Sequence, residues 1–172
     1  NNVLGVSNML NLAKKYEVNK VVFASSAAVY GLNDEIPLRE ESHCDPVSPY
    51  GMNKWVGEMY CEKWNEIFGV DTLCYRFSNV YGPRQGTIGE GGVVSIFIQR
   101  VVEGKDLIVY GDGEQSRDFI YVQDVAAAIY KGVEQDLSGI YNLSTNTGVS
   151  VNQLIETLGE LADIENVSYE EE

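Results

Sequence analysis

The chain is poor in positive charge and in metal-binding and redox-active side chains. Its 172 residues include one histidine, three cysteines and four prolines, and 12 Lys plus Arg stand against 26 Asp plus Glu, a formal net charge of −14. That deficit argues against a nucleic-acid or anionic-membrane surface, because both kinds of binding rest on neutralising phosphates. Any phosphate ligand has to be held by local donors. The deficit is also uneven, since residues 132–172 contain no Lys or Arg and nine acids. Cys44, Cys61 and Cys74 are odd in number and form no CxxC pair, which points to a reducing compartment. His43-Cys44-Asp45 offers ligand atoms, but three adjacent residues cannot close a tetrahedral site, so no metal is expected. No apolar run approaches the roughly 20 residues that span a bilayer, and no signal peptide is seen. The expectation is a cytoplasmic protein without a membrane partner. Because the sequence opens on Asn1 in a helical pattern, it is expected to be part of a longer chain.

With 44% apolar residues the chain can bury a core. Val3, Val6, Leu10 and Ala13 recur at helical spacing, and the apolar run Val21 to Ala24 follows as a buried strand. Turn residues from Gly31 to Pro49 lead into a second helix over about Ser48 to Phe68, closed by Gly69, and Asp71 to Phe77 reads as another buried strand. Alternating helices and fully apolar strands indicate a parallel sheet covered on both faces, the α/β class. Beyond Phe77, glycines at 82, 86, 89, 91 and 92 mark a long connecting segment. A helix near Val93 to Glu103, strands at Leu107 to Tyr110 and Arg117 to Tyr121, a helix over Val122 to Glu134, and a strand at Ile140 to Leu143 complete the pattern. Ser150 and Gln153 form a capping box for a last helix.

The strongest chemical signal is Tyr50-Gly51-Met52-Asn53-Lys54. Residues four apart near a helix start lie on one face, so a phenol and an ammonium can converge on one ligand. By itself Tyr-x-x-x-Lys is common, and an exposed lysine over a half-buried tyrosine is the plain alternative. Its context strengthens it: Ser25-Ser26 puts hydroxyls at the carboxyl end of a parallel strand, where open α/β sheets bind ligands. A nearby ammonium favours the phenolate form, which makes a tyrosine a usable general base.

Five segments in order resemble the extended short-chain dehydrogenase/reductases, in particular their NAD-dependent nucleotide-sugar epimerases. They are Asn1-Asn2-Val3-x-Gly5, Ser26 to Gly31, Ser48-Pro49-Tyr50-Gly51-x-x-Lys54, Arg76 to Gln85, and Gly111-Asp112-Gly113 followed by Arg117-Asp118. The resemblance implies the second half of a Rossmann-type parallel sheet with helices on both faces, plus a small α/β substrate-binding subdomain. Residues 1–82 would be the C-terminal half of the NAD-binding domain with the catalytic helix. Residues 83–172 would be mainly the substrate subdomain, with the chain crossing back to the sheet near 117–145. The family's opening glycine-rich turn, which seats a dinucleotide pyrophosphate, has no counterpart here.

Carried over position by position, the resemblance makes Tyr50 the acid/base, Lys54 its partner on the nicotinamide ribose, and Ser26 the hydroxyl on the reacting sugar oxygen. Asn2, Phe77 and Ser78 would also line the cofactor. Asn79 and Arg117 would contact a diphosphate, while Val93, Val94 and Tyr110 would flank a base; an arginine fork and a tyrosine ring suit those parts. The implied activity is epimerisation of a UDP-hexose at C4 through a 4-keto intermediate, in carbohydrate metabolism. A sugar-nucleotide dehydratase or decarboxylase, or a non-catalytic binding protein on the same scaffold, is the alternative. Dehydratases of the family usually carry an Asp-Glu pair after the active-site hydroxyl, where this chain has Ala27 and Ala28. A homodimer is implied too, through the helices at Val3 to Tyr16 and Ser48 to Phe68, the second of which carries Trp55, Met59 and Trp64.

Overall fold

The computed structural model describes residues 2–87 and 92–171. Of the glycine-rich stretch read from the sequence, Gly89 and Gly91 lie outside the described residues, as does Asn1. In chain order the elements are α1 (Asn2–Lys15), β1 (Val21–Ser26), a 3₁₀ turn (Ala27–Tyr30), α2 (Pro49–Phe68), β2 (Thr72–Phe77), β3 (Asn79–Tyr81) and α3 (Val93–Val102). There follow β4 (Leu107–Tyr110), β5 (Ser116–Tyr121), α4 (Val122–Glu134), β6 (Gly139–Leu143), β7 (Gly148–Ser150), α5 (Val151–Leu161) and β8 (Val167–Glu170). They form two compact units, Asn1–Ser78 with Val125–Leu143, and Asn79–Asp124 with Ser144–Glu172.

The first unit is built on a parallel sheet in the order β1-β2-β6, with Ser26 opposite Phe77 and Phe77 opposite Leu143 at its carboxyl end. The central strand β2 is buried along most of its length. Within this chain β1 pairs with β2 on one side, and Val21, Val22 and Phe23 are half-buried and Ala24 exposed. On one face, Leu10 and Ala13 of α1 and Cys61 of α2 pack with Cys74, and Phe23 and Ile140 lie against the same cluster. On the other face, Tyr75 Oη donates to the Ala128 carbonyl of α4 at 3.2 Å, and a Cβ at Gly132 would meet that hydroxyl at 2.4 Å. Pleat alternation in β2 thus sends successive side chains to different helices, as α/β patterning predicts.

Trp64 packs on the Leu10–Cys74 core, 5.4 Å from the Tyr60 ring and 5.6 Å from that of Phe68, and Lys14 Nζ sits 3.5 Å over Phe68. Trp64 is half-buried there. The exposed apolar side chains of the two helices are others, among them Leu4, Leu12, Met52 and Met59. At the amino end of the sheet Lys20, with 7% of its side chain exposed, pairs with Asp71 at 2.5 Å and Asp136 at 3.0 Å and donates to the Leu137 carbonyl.

In the second unit β3 runs parallel to β5, which pairs antiparallel with β7, and β4 runs parallel to β8. Phe97 of α3, Leu107 and Val109 of β4 and Val151 of α5 form its core, extended by Leu154, Ile155 and Leu158. The capping box is present in both directions: Ser150 Oγ accepts from Gln153 N, and Gln153 Oε1 accepts from Ser150 N. Strands β3, β7 and β8 have no counterpart in the sequence reading.

Candidate active site

Helix α2 begins as its sequence requires. Ser48 caps it by accepting from Gly51 N at 3.1 Å, Pro49 takes the first-turn position where a missing N–H costs nothing, and Gly69 closes it in the left-handed region at φ 67°. Glycines let it lie close to β1. A Cβ at Gly51 would meet the Ala28 carbonyl oxygen at 2.5 Å, and one at Gly57 would stand 2.4 Å from the Phe23 ring. The first turns of α2 are thereby brought against the carboxyl end of β1, and Tyr50 and Lys54 stand there on one face. Lys54 Nζ donates to the Ala24 carbonyl at 2.8 Å and lies 5.5 Å from the ring centres of both Tyr50 and Phe23. Tyr50 is 43% exposed, so its phenol is open to a ligand. Ser26 caps the 3₁₀ turn, its Oγ accepting from Ala28 N at 3.2 Å.

Asn2 opens α1 and is exposed. Phe77 ends β2 opposite Ser26, and Ser78 N donates to the Leu143 carbonyl. Ser26, Phe77 and Ser78 lie together at the ends of neighbouring strands.

Behind them lies a polar network that sequence reading missed. Arg76, 5% exposed, grips Glu58, 1% exposed, through Nε at 2.9 Å and Nη2 at 2.8 Å. Ser25 Oγ donates to the same carboxylate. Arg76 Nη1 donates to Tyr30 Oη at 2.8 Å and to the Glu40 carbonyl at 3.0 Å, and Tyr30 Oη donates to Asn142 Oδ1 at 2.6 Å. Asn142 in turn donates from its backbone to Glu40 Oε1 and from Nδ2 to the Leu38 carbonyl. Burial works against the Arg76 charge, but its hydrogen bonds to Glu58 and Tyr30 outweigh that and hold its pKa above the usual arginine value. Burial likewise pushes the Tyr30 hydroxyl up, against the opposing pull of Arg76. One signal for Glu58 was available, its place four residues beyond Lys54 on the same stripe.

The second unit holds the remaining candidates. A cavity of about 180 Å³ is lined by Asn79, Val80, Tyr81, Gln85, Gly92, Val93, Val94 and Phe119. It brings Asn79, Val93 and Val94 together but includes neither Tyr110 nor Arg117, both exposed. Arg117 Nη1 donates to the Ser116 carbonyl at 2.7 Å. Gln85 and Phe119 were not anticipated; Gln85 Nε2 donates to the Val80 carbonyl at 3.1 Å. Asp118, beside Arg117, accepts from Thr145 N, Thr145 Oγ1 and Thr147 N, which fixes the loop before β7. Among the described residues no cluster of His, Cys, Asp or Glu could hold a metal, and no helix is long and apolar enough to cross a membrane.

A parallel sheet flanked by helices, with Tyr and Lys entering a helix beside a hydroxyl-bearing strand end, is the arrangement of a nucleotide-cofactor α/β enzyme. The model of the NAD dependent epimerase/dehydratase family matches residues 1–144, and the chain belongs to that family. It is 34% identical over 155 residues to UDP-glucose 4-epimerase of Mycolicibacterium smegmatis, with 89% of this chain and 50% of that protein covered. Among solved structures it resembles a UDP-N-acetylglucosamine 4-epimerase of Methanobrevibacter ruminantium in complex with UDP-N-acetylmuramic acid. That likeness has a TM-score of 0.96 and 36% identity, covering 100% of this chain and 56% of the other. A UDP-glucose 4-epimerase of Thermus thermophilus in complex with NAD matches at a TM-score of 0.90 and 35% identity, covering 99% and 57%. The chain spans about half the length of the curated relatives it matches. The cofactor of the family is NAD.

Proposed function

We propose that the protein containing this chain interconverts nucleotide sugars, most simply a UDP-hexose at C4, through a 4-keto intermediate. The observation that carries the reading is the Tyr50/Lys54 pair, with the ammonium 2.8 Å from a strand-end carbonyl and 5.5 Å from the phenol ring. The residues at the strand ends fit the nicotinamide end of NAD: an ammonium and hydroxyls for a ribose, and the Phe77 ring for a flat face. NAD, when bound, accepts a hydride from the sugar and gives it back. Tyr50 takes the proton of the C4 hydroxyl as the keto group forms and returns it as the group is reduced. Lys54 supports the charge on the phenol and holds the ribose, and Ser26 donates to the reacting oxygen. Asn79 and Arg117 are assigned to the diphosphate, Val93, Val94 and Tyr110 to the base, and Asn2 and Ser78 to the cofactor. Dehydration or decarboxylation needs further acid/base groups, and Ala27 and Ala28 supply none, which favours epimerisation.

In a chain of the relatives' full length, Tyr50→Phe is expected to lower turnover by at least about 10²-fold with little change in sugar-nucleotide affinity. Near-parental turnover in that variant defeats the mechanism. The exposed Leu4, Leu12, Met52 and Met59 of α1 and α2 support pairing with a second copy through these helices. Sedimentation of the full-length protein with Met59→Glu tests this: a dimer that dissociates is expected, and a monomeric parent rules it out.

A further inference from the structure

The buried ion pair carries more than the fold requires. Glu58 follows Tyr50 and Lys54 at eight and four residues, so the three occupy one stripe of α2 that faces β1. Consecutive residues of the strand end are each tied: the Ala24 carbonyl to Lys54 Nζ, Ser25 Oγ to the Glu58 carboxylate, and Ser26 Oγ to Ala28 N. Arg76 then links that carboxylate to Tyr30, at the end of the 3₁₀ turn, and to the Glu40 carbonyl in the loop before α2. Asn142 of β6 fastens Tyr30 and the same loop at Leu38 and Glu40. An apolar core would bury these elements as well, and breaking even with a buried ion pair is the usual result of such a replacement. What apolar contacts do not supply is direction: a bidentate guanidinium–carboxylate pair admits one relative orientation of its two elements.

We propose that Glu58 and Arg76 are positioning residues, which hold the carboxyl end of β1 and the first turns of α2 in one register so that Ser26, Tyr50 and Lys54 stay aligned. As a statement about catalysis this rests on the epimerase reading above; as a statement about the chain it does not.

The two are separated by measuring three quantities on a full-length chain: thermal midpoint, backbone hydrogen exchange without ligands, and steady-state kinetics on UDP-hexoses. Arg76→Met alone leaves a buried carboxylate and lowers the midpoint. Glu58→Leu with Arg76→Met replaces the whole pair by apolar side chains, and its midpoint is expected to return close to the parental one. Exchange over residues 24–31 and 49–54 is nevertheless expected to be faster than in the parent by about tenfold, with residues 151–161 unchanged. Turnover is expected to stay about 10- to 100-fold down with KM little altered, as for misplaced catalytic groups. A double variant that recovers its midpoint, its parental exchange over 24–31 and its turnover together overturns the proposal. If the double variant does not fold, Glu58→Gln is read in the same way, and parental exchange over 24–31 again overturns it. A parent that turns over no sugar nucleotide defeats the functional reading, while the exchange comparison still decides the positioning role.

Discussion

At the carboxyl end of β1 the protein supplies its own partners: Ser25, Tyr30, Glu58, Arg76 and Asn142 bond to one another and to nearby carbonyls. The cavity around Asn79 and Phe119 is made differently. It is ringed by valines, aromatic edges and two amides, and Gln85 Oε1 is buried there with no hydrogen-bond partner among the described residues. A region whose polar groups are satisfied internally is rigid, and its side chains keep their places when nothing is bound. A region that leaves acceptors unmatched has capacity for a ligand's donors, at a cost while they go unmet. The same chain thus shows a preorganised strand end in one unit and a receptive cavity in the other.

Breaking the satisfied region has the largest expected effect. Arg76→Met strands the Glu58 carboxylate in the interior and is expected to cost about 3–5 kcal/mol in urea unfolding. A loss under about 1 kcal/mol would mean that the pair is not sequestered. A smaller effect is expected at the amino end of the same sheet. Burial raises the Asp71 pKa, but its bonds to Lys20 and Ser138 more than reverse this and hold it below the usual carboxylate value. A depressed folded pKa gives stability that is present above the ordinary value near 4 and disappears as pH falls through the folded one. Asp71→Asn should therefore destabilise by no more than about 1 kcal/mol at pH 7, the side chain being partly exposed. Parent and variant should converge as pH falls from the ordinary carboxylate value near 4 through the lowered folded one; a gap that stays constant over that whole descent excludes the charge as its cause. The least effect on folding is expected in the second unit, where Arg117→Ala removes an exposed side chain and should change stability by under about 0.5 kcal/mol. Its expected consequence is a raised KM for the sugar nucleotide, and unchanged KM would remove Arg117 from the diphosphate.

Local signals made much of the fold legible. Ser48, Pro49 and Gly69 mark the ends of α2, and the Ser150/Gln153 box marks α5, because caps depend on residues a few positions apart. β2 was legible because it is central and buried along most of its length. β1 has the same apolar composition and is equally legible as a strand. The three-residue β3 and β7 are too short for a period, and β8, rich in polar residues, is held by its pairing with β4. At the site, Tyr50, Lys54 and Ser26 were visible through spacing and strand-end position. Glu58 and Arg76 were not, since a buried ion pair between residues 18 apart has no period and looks in sequence like two surface charges. The helical spacing of Tyr60 and Trp64 reads as a packing face, and both rings lie partly buried against the Leu10–Cys74 core.

Lys20, Asp71 and Asp136 immediately precede or lie close before β1, β2 and β6, and one ammonium group joins all three chain entries at the pole of the sheet away from the strand ends that carry Ser26 and Phe77. The two poles answer to different demands. Sequence drift among these three residues is expected to change how long the folded chain survives at a given temperature or acidity, at the pole of the sheet opposite the reacting groups. A lineage moving to a hotter or more acidic habitat, or an engineer seeking a hardier protein, has a place to adjust durability without retuning the chemistry.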